Sequence, residues 1–109
     1  MRQTKNNITL IGRLGNDPVV RRFESGQRLA KMHLATNETR RRLNGESNQL
    51  TRWHQLVAWG NTADIVKQML NKGRKIAIEG KLNVRSWKGK DGMPRTSSEV
   101  VVKNFTLLQ

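Results

Sequence analysis

The segment 51–82, TRWHQLVAWGNTADIVKQMLNKGRKIAIEGKL, changes its period twice. From Arg52 to Gly60 it alternates. Trp53, Gln55, Val57 and Trp59 share one face, while His54, Leu56 and Ala58 share the other, which is the period of a strand. Over 61–72 the apolar residues return four apart, Ile65 with Met69 and Val66 with Leu70, which predicts a helix. Asn61 suits the N-cap, Asp64 sits favourably at N3, and Gly73 fits the C′ position. From Lys75 to Trp87 the alternation resumes, with Ile76, Ile78, Gly80, Leu82 and Val84 inward and Lys81, Asn83, Arg85 and Trp87 outward.

On either side of this segment the chain reads as strand. In 7–14, Ile8, Leu10, Gly12 and Leu14 oppose Asn7, Thr9, Ile11 and Arg13. Gly15-Asn16-Asp17-Pro18 is a turn, Val19–Phe23 resumes the extended pattern, and Ser25-Gly26 turns again. From Arg28, Ala30, Met32, Leu34 and Thr36 oppose Leu29, Lys31, His33 and Ala35. Residues 40–51 are polar, contain Asn44-Gly45, and read as a long basic hairpin loop. After Lys88–Pro94, with its Asp91-Gly92 hairpin signal, 95–108 forms a last strand around Val100-Val101-Val102. Glycines 12, 15 and 26 are assigned to turns. Five antiparallel strands with one helix between the third and fourth is the order of the OB-fold, an all-β Greek-key barrel whose face and loops bind oligonucleotides. An SH3-like barrel fits poorly with a three-turn helix at that place.

The composition narrows the function. Twenty-one Lys and Arg against eight Asp and Glu give 109 residues a net charge of +13. That length suits one domain, set at 1–109. The basic residues are spread through patterned segments, so the charge belongs to the fold and points to a polyanion, nucleic acid first and an anionic membrane second. With no cysteine, disulfides, thiolate metal sites and Cys nucleophiles are excluded. Two His and scattered carboxylates offer neither a zinc site nor a metal-nuclease cluster, and no phosphate loop of the P-loop type is present. No metal, cofactor or catalytic residue is expected. No apolar run is long enough to span a bilayer, and MRQTKNN lacks the apolar region of a secretory signal. A cytoplasmic protein, associated with the nucleoid and not with a membrane, is expected.

The chemistry then rests on indoles and cations. Trp53 and Trp59 share a strand face about 20 Å apart at roughly 3.3 Å per residue, with Gln55 between them. Trp87 ends a polar strand face beside Arg85. Ordinary packing would bury these rings; exposed, each offers a flat surface on which any base can stack. Arg40-Arg41-Arg42 on one hairpin, Lys88, Lys90 and Arg95 on the other, and Arg22 and Lys81 on strands would bind phosphates. His54, facing Leu56 and Ala58, reads as a core or interface histidine.

The strings ITLIGRLGNDPVVRRFESG, LATNET, TRWHQLVAWG, KGRKIAIEGKLNVRSW and DG followed by TSSEVVV, taken in order, resemble bacterial single-stranded DNA-binding proteins. The resemblance covers about residues 6–108. It implies an OB-fold that binds single-stranded DNA without sequence preference and without catalysis, in replication, recombination and repair. It also implies a homotetramer assembled as a dimer of dimers. The family's stacking tryptophans match Trp53 and Trp87, its stacking phenylalanine matches Trp59, and His54 matches a subunit-interface histidine, to which Asn7 and Ile8 are joined as interface candidates. Two departures stand out. Arg40 occupies a position where members often carry Trp, replacing a ring with a planar cation. The family's acidic tip, which recruits replication and repair proteins, has no counterpart up to Gln109, so recruitment through such a tail is not expected. A short primosome-type accessory OB-fold protein, binding single strands as a dimer, is the alternative, and a purely protein-binding barrel a third reading.

Overall fold

The computed structural model describes residues 7–108; the outermost residues of the 1–109 domain, and most of the MRQTKNN string, fall outside that range. The elements are β1 (Asn7–Leu14), β2 (Val19–Arg22), β3 (Arg28–Arg41), β4 (Ser47–Trp59), α1 (Asn61–Met69), β5 (Lys75–Lys88) and β6 (Pro94–Leu107). The sheet order is β1-β5-β6-β4-β3-β2, and β1 also pairs with β3. That last pairing, Arg13 opposite Ala35 and Leu14 opposite Leu34, closes the barrel. β1 and β2 are the two halves of the expected first strand. The first half is laid along β5 and the second along β3.

The bend between them is pinned. Gly15 N–H donates to the His33 carbonyl at 2.9 Å, and His33 N–H donates to Asn16 Oδ1 at 2.9 Å. Gly12 lies within β1, not in a turn: a Cβ there would collide with the Ala35 carbonyl, where β1 crosses β3. Inside the barrel, Leu14, Met32, Leu34, Leu56, Ile76, Ile78 and Val100 are buried, and α1 closes one end with Ala63 and Val66. Among the described residues no polar or charged side chain is buried.

The structure alters five expectations. The sheet is not wholly antiparallel, because β4 and β6 meet in parallel at Leu56–Val100 and Val57–Val101. Gly60, at φ 62, is the N-cap of α1 and supplies no side-chain cap. Asn61 instead accepts from Arg28 at 3.4 Å, and Arg28 also grips Asp64 bidentately at 2.8 and 2.6 Å. The helix stops at Met69, three residues early, because Leu70 turns extended and enters the core; Gly73 serves a later turn, its N–H donating to the Leu14 carbonyl at 2.8 Å. Residues 40–51 are not a loop. β3 and β4 stay paired out to Arg41–Ser47, and Arg42 N–H to Glu46 carbonyl, 2.7 Å, closes a short turn at Gly45. A ribbon that leaves the barrel buries nothing on either face, so it carries no apolar alternation to read. Val84, expected inward, is exposed for the same reason on the β5–β6 ribbon.

Candidate nucleic-acid interface

Side-chain parity along β2, β3 and β4 defines one outer face. Its cross-strand rows are Arg21–Leu29–Trp59, Val19–Lys31–Val57, His33–Gln55 and Arg13–Ala35–Trp53. Leu29 and Val57 in these rows are buried and make an apolar base. The indoles above it are not packed away: Trp53 is 62% exposed, Trp59 44% and, on β5, Trp87 48%. Gln55 lies between Trp53 and Trp59 as expected and is half-buried.

The rings are seated differently. Trp53 leans against Gly15, where an added Cβ would come within 2.5 Å of the indole Cζ3 and 2.8 Å of Cη2. Trp59 stacks on Phe23 with ring centroids 6.2 Å apart and planes at 22°. The Arg21 guanidinium carbon lies 5.4 Å from the centre of the same Phe23 ring. Trp87 stands opposite Arg95 on the β5–β6 ribbon. A groove runs from His33, Trp53, His54 and Gln55 across to Leu82, Ser98, Glu99 and Val100, joining the β4 face to β5 and β6.

The cations are distributed less simply than a count of charges implies. Parity splits the three ribbon arginines. Arg41 shares the Trp53 side, whereas Arg40 shares the His54 side with Glu38 and Arg52. Arg42 is engaged by Asn48, whose amide oxygen, oriented to satisfy both groups, accepts from Nε at 3.0 Å and Nη2 at 2.8 Å. Arg22 pairs with Arg28 on the side away from the aromatic face, so Arg21, not Arg22, stands beside the rings. Arg85 is exposed with Glu99 3.8 Å away; Arg95 is bonded to Asp91 at 3.1 Å. Lys81, opposite Val101, is half-buried on the outer side of β5, and Lys88 is exposed at the ribbon's tip, opposite Pro94. Phe23, Arg21, Lys31 and Arg13 escaped the sequence-based site, because the cross-strand register that sets Arg21, Lys31 and Arg13 in these rows leaves no signal in local alternation.

The interface candidates are separated within one chain. His54 is half-buried, its Nε2 3.0 Å from Thr36 Oγ1. Asn7 and Ile8 pair with Lys81 and Gly80 on β5, and β5 and β6 stand between them and β4. From Asn7 to Gly12 the edge of β1 away from β5 has no partner strand among the described residues.

Two ion pairs shift the titration of their members. The hydrogen bond from Arg28, then its charge, holds the Asp64 carboxyl below its ordinary range, and Arg52 does the same to Glu38. Asp64 in turn raises the Arg28 pKa. Among the described residues no three His, Asp or Glu side chains gather as a metal would need, and no helix is long and apolar enough to cross a membrane.

Comparison with known proteins gives this arrangement a lineage. Residues 5–108 match the Single-strand binding protein family. The chain is 43% identical over 104 residues to the Single-stranded DNA-binding protein 1 of Chlorobaculum tepidum, covering 94% of this chain and 64% of that one. It is 37% identical over 103 residues to the Single-stranded DNA-binding protein of Neisseria meningitidis, covering 94% and 59%. Thus the chain spans about three-fifths of the length of these curated relatives. A solved structure described as the Plasmodium falciparum SSB complex with ssDNA superimposes with a TM-score of 0.89 at 31% identity, over 100% of this chain and 99% of that one. With its barrel, its helix after β4 and this match along nearly the whole length, the chain belongs to the single-strand binding protein family.

Proposed function

We propose that this protein binds single-stranded DNA without regard to sequence, covering strands exposed in replication, recombination and repair. The observation that carries the reading is the exposure of Trp53, Trp59 and Trp87 at outward positions of a domain with net charge +13. A duplex hides its bases in a stack, so exposed indoles gain nothing from it. A single strand can lay each base on a ring, while neighbouring Lys and Arg hold the phosphates. Gln55 supplies a hydrogen-bonding amide between two of the rings. Arg41, Arg85 and Lys88 extend the charge along the two ribbons; Arg40, Arg42, Lys81, Arg95 and Arg22 contribute from its margins. No bond is made or broken in this process, so it needs neither a cofactor nor a catalytic group.

Assembly follows the same logic. The unpaired edge of β1 beginning at Asn7 and Ile8 suits pairing with a second copy, and His54 joins the contact in a homotetramer built as a dimer of dimers.

Oligo-dT should quench the tryptophan fluorescence at low salt while duplex of equal length does little. The log of affinity should fall with log salt by about 0.7 per phosphate contact. Equal affinity for duplex, or no salt dependence, refutes the reading. Light scattering that returns a dimer favours the accessory-protein alternative over the tetramer.

A further inference from the structure

The turn between β2 and β3 is tied to the start of α1, and it brings a second ring to Trp59. Phe23 N–H donates to the Gln27 carbonyl at 2.9 Å, and Gly26 N–H donates to the Phe23 carbonyl at 2.9 Å with Gly26 at φ 93. Across the sheet, Gly60 N–H donates to the Arg28 carbonyl at 2.9 Å. These bonds fix Phe23, Gln27 and Trp59 relative to one another. Parity places all three on the outer face, in continuation of the Arg21–Leu29–Trp59 row.

Phe23 has no place in the core. It is 37% exposed, and its contacts are with rings and charge: Trp59 at 6.2 Å between centroids, and the Arg21 guanidinium 5.4 Å from its centre. A shallow cavity lined by Gln27, Trp59 and Gly60 opens beside the indole, and Phe23 takes no part in its lining. Space beyond Gly60 is open as well; a Cβ built there meets no atom within 4 Å. So the indole is braced by one ring and remains accessible elsewhere.

We propose that Phe23 and Trp59 act as one nucleobase subsite. Trp59 stacks a single base from the side of the Gln27–Gly60 cavity, Phe23 holds the indole from its covered face, and Arg21 caps the column with a cation for the adjoining phosphate. Phe23 is a positioning residue: it acts through Trp59, not on the base. Holding the ring before the strand arrives removes an ordering cost from binding. The inference rests on the single-strand reading above and deepens it at one end of the aromatic face.

The test uses the whole protein, with oligo-dT binding followed by anisotropy and the signal of Trp59 alone followed in a Trp53→Phe, Trp87→Phe background. Phe23→Leu should weaken binding about two- to tenfold, the range that the coupling of an aromatic pair spans, and should reduce the Trp59 quenching amplitude. Phe23→Tyr, which keeps the ring, should restore both. In a Trp59→Ala background Phe23→Leu should cost nothing further. Unchanged affinity and quenching in Phe23→Leu overturn the proposal, as does an equal loss with Trp59 already removed, because Phe23 would then be acting on its own. Absence of oligo-dT binding by the unaltered protein overturns the single-strand reading itself.

Discussion

Gly15 offers a way to move one indole without touching it. An alanine methyl at this position would stand 2.5 Å from Trp53 Cζ3, against the 3.4 Å of ordinary contact, so the ring must retreat by about 1 Å. Gly15 has no positive φ, so alanine imposes no backbone strain. The colliding atoms belong to the far end of an exposed side chain, so the ring gives way and the fold is spared. Stability of Gly15→Ala should therefore stay close to that of the unaltered protein. Binding should not. A base stacked on an aromatic ring is worth about 1–3 kcal/mol, which sets the loss for Trp53→Ala at about 5- to 150-fold. Gly15→Ala should fall within that ceiling, and the double substitution with Trp53→Ala should be no worse than Trp53→Ala alone. Oligo-dT titration by anisotropy, with thermal melts for stability, checks all three. If Gly15→Ala binds normally while Trp53→Ala does not, the seat assigned to Trp53 is wrong. If both bind normally, stacking on Trp53 is wrong.

Other consequences follow from the same geometry. Arg41 shares the Trp53 side of its ribbon and Arg40 does not, so Arg41→Ala should flatten the plot of log affinity against log salt by about 0.7 and Arg40→Ala by less; equal slopes for both would show that ribbon parity is irrelevant to the strand's path. Trp87 has only the exposed β5–β6 ribbon beneath it and faces an Arg95 already bonded to Asp91 at 3.1 Å, so Trp87→Ala should weaken oligo-dT binding less than Trp53→Ala. The reverse ranking in the same titration would count against bracing as a determinant of affinity. The folded pKa of Asp64 lies below its unfolded value, chiefly through its hydrogen bond with Arg28. Its contribution to stability is therefore present above the unfolded pKa and is lost as pH falls through the folded one. Melting temperature should decline below the ordinary carboxylate range more steeply in the unaltered protein than in Asp64→Asn, and parallel declines would sink this assignment.

What could be read from the residues, and what could not, divides along burial. Alternation from Arg52 to Trp59 and from Lys75 to Leu82 was legible because one face of each strand fills the core, and a slip by one residue would bury the wrong set. The same alternation placed Trp53, Gln55 and Trp59 together. Beyond the barrel that constraint lapses. Residues 40–51 and Val84 lie on ribbons whose faces are both exposed, so their pairing is held by backbone bonds that leave no apolar signature. The parallel meeting of β4 with β6 depends on closure across distant strands, which a local period cannot express. Arg21 and Arg22 are neighbours of one residue type; only pairing with Leu29 on one side and Arg28 on the other separates the two. Asn61 has the chemistry of an N-cap, yet Arg28 reaches across from β3 to claim it.

An exposed indole is a liability unless something is gained from leaving it bare, and the supports beneath these rings show how the fold limits that liability. Trp53 rests on a backbone bend that is itself bonded to β3 through Gly15 and Asn16. Trp59 rests on a ring delivered by a closed turn. Neither support buries the indole, so its area remains available; both restrict where it points, so less freedom is lost when a base arrives. Charge does the complementary work. Spread over two ribbons and the outer face, it attracts a flexible polyanion from any direction without prescribing a base sequence. Binding that must be tight, indifferent to sequence and selective for an unpaired strand requires these two properties together. A basic surface alone would accept duplex, and bare rings alone would invite aggregation.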